Sequence, residues 1–135
     1  MSDPRVLLFD ADSDLREALA EAFRVERIEC LVMRSVDELR ASLKDGPKPA
    51  AVIFCVAPPP ELYVEVLREL QGSSQLKDVP VLVTTTFLPT IVPEGMTPFI
   101  FPKPFDIALL LGALHLVLLG AVEQAAALAA QARHR

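Results

Sequence analysis

The chain has 135 residues, enough for one domain around a single modest core. Hydrophobic residues make up 52% and charged residues 23%, with a formal net charge of -5, so a disordered, solvating chain is excluded. The Lys and Arg residues are scattered, which excludes a basic nucleic-acid footprint. The dense positive group Arg133-His134-Arg135 reads as a short solvated tail.

In chain order, Arg5 to Asp10 is a short buried strand, an apolar run without polar alternation. Ser13 offers an N-cap to a helix that carries Leu15, Ala18, Leu19, Ala22 and Phe23 at helical spacing to about Glu26. Ile28 to Met33 is a second strand. Ser35 and Glu38 form a capping box, and the helix it opens ends at Gly46-Pro47. Ala50 to Val56 is a third strand, followed by the three prolines Pro58, Pro59 and Pro60. The next helix runs from Glu61 to Leu70, with Leu62, Val66, Leu67 and Leu70 on its apolar face. Val79 to Val83 is a fourth strand and Phe99 to Phe101 a short fifth. Strand and helix alternate throughout, the pattern of an α/β, doubly wound, five-stranded parallel sheet with right-handed crossovers.

Two features depart from that rhythm. Between Thr86 and Pro98 stand Pro89, Pro93, Gly95 and Pro98, so the fourth crossover helix is expected to be lost or shortened. Phe87, Leu88 and Ile91 then become candidates to cover the sheet edge or meet a partner. The last helix is expected to run from Asp106 almost to the C-terminus. At about 25 residues it would be about 38 Å long, more than one sheet face needs. The part from about 120 to 135 is expected to project, with Leu111, His115, Leu118, Leu119 and Val122 as contacts to a second subunit. The whole chain, 1–135, is read as one domain.

The apolar run from Ile107 to Val122 contains His115, Gly112 and Gly120 and falls short of the roughly 20 residues a bilayer core requires, so no membrane span is expected. Met1-Ser2-Asp3-Pro4-Arg5 has no signal-peptide character. Cys30 and Cys55 lie inside apolar runs, as buried free thiols of a reducing compartment do. A cytoplasmic location is expected. His115 has no cysteine or carboxylate at ligand spacing, and the glycines make no phosphate-cradling loop, so no cofactor is expected.

The strand end Val6-Leu7-Leu8-Phe9-Asp10-Ala11-Asp12, the third strand ending at Cys55, the fourth ending in Thr84-Thr85-Thr86 and the passage Phe101-Pro102-Lys103-Pro104-Phe105 together resemble the receiver domain of bacterial response regulators, over about residues 4 to 120. The resemblance implies a flavodoxin-like sheet of order 2-1-3-4-5. It implies an acidic pair that, with an aspartate ending the third strand, binds a divalent metal. That aspartate takes a phosphoryl group from a histidine kinase, while a hydroxyl residue and a lysine before a proline contact the phosphoryl oxygens. Carried over here, the first acid is Asp10, but the second is Ala11, with Asp12 the next acid. The acceptor position falls on Cys55, the hydroxyl on Thr85 and the lysine on Lys103 with Pro104. The switch aromatic falls on Ile100.

These departures close the phosphorylation route. A hard divalent ion wants oxygen ligands and Cys55 offers sulfur. Phosphoryl transfer needs positioning and charge neutralisation around an acceptor oxygen. The resemblance is therefore to a degenerate receiver, a pseudo-receiver, expected to act as a non-enzymatic protein-binding module and homodimer. Lys103 is expected to pair with Asp10. Two rival readings are a thiol redox sensor at Cys55 and a residual anion or small-molecule cleft at Asp10, Thr85 and Lys103.

Overall fold

Apolar runs make the strands β1 (Arg5–Phe9), β2 (Glu29–Met33), β3 (Ala51–Val56), β4 (Val81–Thr85) and β5 (Ile100–Pro102), largely buried in the central strands β1, β3 and β4 and only partly buried at the edges, β2 and β5. They pair as one parallel sheet of order β2-β1-β3-β4-β5, the doubly wound order expected. The computed structural model describes residues 5–10, 12–56, 60–72, 78–85, 99–103 and 106–133. Pro104, Phe87, Leu88, Ile91 and the whole fourth crossover, 86–98, lie outside them.

The helices are α1 (Ser13–Val25), α2 (Val36–Asp45), α3 (Pro60–Gly72), α4 (Ile107–Leu118) and α5 (Val122–Arg133). The N-cap of α1 is Asp12, not Ser13: its carboxylate accepts from the Leu15 amide at 3.2 Å. Ser35 caps α2 as expected, accepting from the Glu38 amide at 3.1 Å, but the Glu38 carboxylate reaches back to the amide of Arg34 rather than that of Ser35. β4 begins at Val81, because Pro80 serves the sheet through its carbonyl, which accepts from the Val52 amide at 3.0 Å.

Side chains alternate across the sheet. Val6, Leu8, Ile53, Leu82, Phe99 and Phe101 face Leu19 and Phe23 of α1, Leu110 and Leu114 of α4 and two alanines of α5. Leu7, Phe9, Val52, Phe54, Val81 and Val83 face α2 and α3.

The long projecting last helix is not what forms. The helix stops at Leu118, and Gly120, at φ +82°, turns the chain. The amide of Gly120 donates to Val117 at 3.0 Å and that of Ala121 to Leu116 at 2.8 Å, the two bonds of a Schellman motif. α5 then runs back along α4 and β5, with Ala125 and Ala129 fully buried. A glycine with helical neighbours on both sides read as a helix interior; its left-handed backbone makes it a stop. Of the helix contacts proposed for a second subunit, Leu111, His115 and Leu118 are partly buried, while Leu119 and Val122 are exposed at the turn. Among the described residues no helix is long and apolar enough to cross a membrane.

Candidate functional site

Parallel strands deliver their carboxyl ends to one edge of the sheet, the edge at which open α/β sheets hold their sites. Continued past the strand ends, the alternation that sends Leu8, Ile53 and Phe101 toward α1 and α4 sends Asp10, Cys55 and Lys103 to that same side. The other side is closed by the rings of Phe9, Phe54 and Tyr63, with centroids 5.2 to 6.1 Å apart. The polar groups therefore meet in one small cluster.

Lys103 is its centre. Its Nζ donates to Asp10 Oδ2 at 2.8 Å and to Cys55 Sγ at 3.2 Å. Asp10, 2% exposed, spends its other oxygen on the backbone amide of Asp12 at 2.9 Å. Arg16 donates to the Asp10 carbonyl at 3.0 Å, fastening the first turn of α1 to the end of β1. The Lys103 amide donates to the Thr85 carbonyl at 2.6 Å, so the lysine backbone is held by β4. Asp12 does not face the cluster with a free carboxylate; one oxygen is the cap of α1.

The hydroxyl assigned to the cluster by sequence was Thr85. In the sheet, Thr84 is the register partner of Cys55 and, by alternation from Leu82, lies on the same side. Thr84 Oγ1 is buried with no hydrogen-bond partner; its influence on the neighbouring thiol is weak and falls short of a formed bond. Thr85, also buried, pairs in register with Val56 and falls to the opposite side. Counting by twos from Leu82 is the signal that selects Thr84.

Burial, and then the Asp10 charge, push the Cys55 thiol above its ordinary range; the Lys103 ammonium opposes this without cancelling it. Burial alone pulls Lys103 down, and its bonds to Asp10 and Cys55 more than restore it, so its value stands above an ordinary lysine's. With both values raised, Lys103 is an ammonium and Cys55 a neutral thiol at neutral pH. Cys30, on β2, is pushed up to about 11 by burial alone.

No family model matches the sequence, and no curated protein matches it. Many solved structures are similar to its fold. The chemotaxis response regulator CheY4 of Vibrio cholerae is similar with a TM-score of 0.71 at 23% identity, over 86% of this chain and 99% of that one. The fold is that of response regulator receiver domains. The receiver domain of the Francisella response regulator 1452 gives a TM-score of 0.71 at 18% identity, over 86% of this chain and 97% of that one. A response regulator receiver protein from Burkholderia phymatum gives 0.68 at 28% identity, over 86% and 95%.

The divalent metal that goes with the receiver resemblance does not fit these residues. Both Asp10 oxygens are engaged, Asp12 caps a helix, and the third position is a neutral thiol, a poor ligand for a hard ion. Among the described residues no three His, Cys, Asp or Glu side chains are grouped to hold a metal. What the cluster does chemically is tie β1, β3 and β5 together at their carboxyl ends.

Proposed function

We propose that this chain is a phosphorylation-independent regulatory module, a cytoplasmic pseudo-receiver that works by binding protein, a second copy of itself included, and not as an enzyme. The observation that supports this reading is the Lys103 ammonium held between Asp10 and Cys55. An ammonium whose bonds go to a buried carboxylate and a thiol is not presented to an incoming phosphoryl group, and a thiol stands where an acceptor oxygen would be needed.

The same observation weighs against the two rivals. A reactive thiol needs its pKa lowered, and Cys55 is 4% exposed with its pKa raised. An anion site needs a cation to spare, and Lys103 is committed to Asp10. The test is incubation of the native protein with acetyl phosphate and Mg²⁺, read by intact mass and light scattering beside a phosphorylatable receiver. Unchanged mass and assembly are expected. A phosphoryl adduct would sink the reading.

A further inference from the structure

The hairpin of α4 and α5 is closed by three residues, Leu119 to Ala121, and only one of them favours the turn. Gly120 takes the left-handed backbone that other residues avoid. Ala121, in the N-cap position of α5, has no side-chain acceptor to start a helix. Leu119, 81% exposed, and Val122, 49% exposed, flank the glycine and bury little in the closed form. On the far side of the turn, α5 has its own seat against α4 and β5: Ala125 and Ala129 are fully buried beside Phe99, Phe101 and Leu110. The Leu128 side chain meets α4 at Gly112, where an added Cβ would lie 3.3 Å from a Leu128 methyl. The seat and the helix that fills it are complementary within one chain, and therefore equally between two chains.

We propose that two copies of this chain exchange α5, each laying it into the α4/β5 seat of the other, with residues 107–133 forming one continuous helix across the turn. The exchange rests on the reading of this chain as a protein-binding module and names a second copy as its partner. Every buried contact of α5 is kept, because the seat is the same surface. Opening the turn loses the two Schellman bonds and no side-chain cap. It gains the helical hydrogen bonds that the break at Gly120 forgoes, and it brings Leu119 and Val122 of the two chains to the crossing point.

The test is light scattering across micromolar to millimolar protein for the wild type, for Gly120→Ala and for a variant with Gly-Ser-Gly inserted after Gly120. Alanine strains the closed turn and favours the open helix in both chains, so Gly120→Ala should raise the association constant at least about a hundredfold. The insertion should return the protein to monomer. In Gly112→Cys/Leu128→Cys protein, oxidised and denatured, exchange joins two chains through reciprocal 112–128 disulfides. Chains that stay monomeric in both the wild type and Gly120→Ala overturn the proposal. So does a dimer whose 112–128 disulfides lie within each chain, although that result leaves the interaction-module reading standing. An acetyl phosphate adduct bears on that reading alone.

Discussion

The two edges of the sheet are held by different means. At the carboxyl edge, Asp10, Cys55 and Lys103 come from three strands and are joined by directional bonds in a buried setting. At the amino edge, where α1 and α4 end, the contacts include local turns, part-exposed Arg5–Glu29 and His115–Glu26 pairs at 3.6 and 3.5 Å, and apolar side chains in water: Val25, Leu119 and Val122. The difference teaches where this molecule can change. A buried ion pair resists the loss of either partner, whereas exposed pairs and turns are worth about 1 kcal/mol or less each. Rearrangement is therefore expected at the amino edge, with the carboxyl edge acting as a fixed clamp.

The largest test of that contrast breaks the clamp. Lys103→Met leaves Asp10 buried beside a thiol with its main counter-charge gone, and should cost about 3 kcal/mol in urea unfolding. Adding Asp10→Asn should restore most of it, because the pair together can be replaced by neutral groups more cheaply than either member alone. A loss under about 0.5 kcal/mol for Lys103→Met would mean that the cluster is no clamp.

The pH dependence of stability is the next largest effect. Cys30, at about 11, Cys55 and Lys103 all stand above their unfolded values. A group with a raised folded pKa contributes stability that is complete below its unfolded pKa and is lost as pH rises toward the folded one. The unfolded chain then releases protons that the folded one keeps. Stability should be flat from about pH 6 to 8 and fall above about pH 9, by on the order of 2 kcal/mol in total. Cys30→Ala should remove part of that slope. A wild-type curve that rises through the same window would contradict the assignment of these groups.

Much of this was legible in sequence, and each departure has its own physical cause. Strand order and helix faces follow from apolar spacing, which is local. The pairing of Lys103 with Asp10 was legible only through the receiver resemblance, since nothing local joins residues so far apart in the chain. Thr85 follows from the receiver resemblance, whereas the register that sets Thr84 opposite Cys55 depends on neighbouring strands, where a slip of one residue reverses every side chain. Asp12 and Ser13 are both good N-caps, and the choice fell to Asp12 because its backbone amide is fixed by Asp10. Gly120 was hidden for the opposite reason: a glycine between helical segments is neutral evidence until the bonds of Ala121 and Gly120 are seen.

The smallest effect compares the two turns of the amino edge. α1 ends with the same pair of bonds as α4: the Ile28 amide donates to Phe23 at 2.8 Å and that of Arg27 to Arg24 at 3.1 Å. Here the left-handed position is filled by Arg27 at φ 60°, a residue that pays a steric penalty for it. What sustains the strain lies downstream, since Ile28 is buried and β2 pairs with β1 from Glu29 onward. After Gly120 comes no such anchor until Ala125. Arg27 is exposed, so Arg27→Gly removes strain and little contact, and its gain is partly offset by the freedom glycine adds to the unfolded chain. The expected result is a stabilisation of about 0.5 kcal/mol, seen as a higher urea midpoint at unchanged slope, with the assembly state unaltered. If Arg27→Gly instead changes assembly as Gly120→Ala is expected to, the α1 turn is as free to open as the α4 turn, and the anchoring ascribed to Ile28 and β2 is wrong.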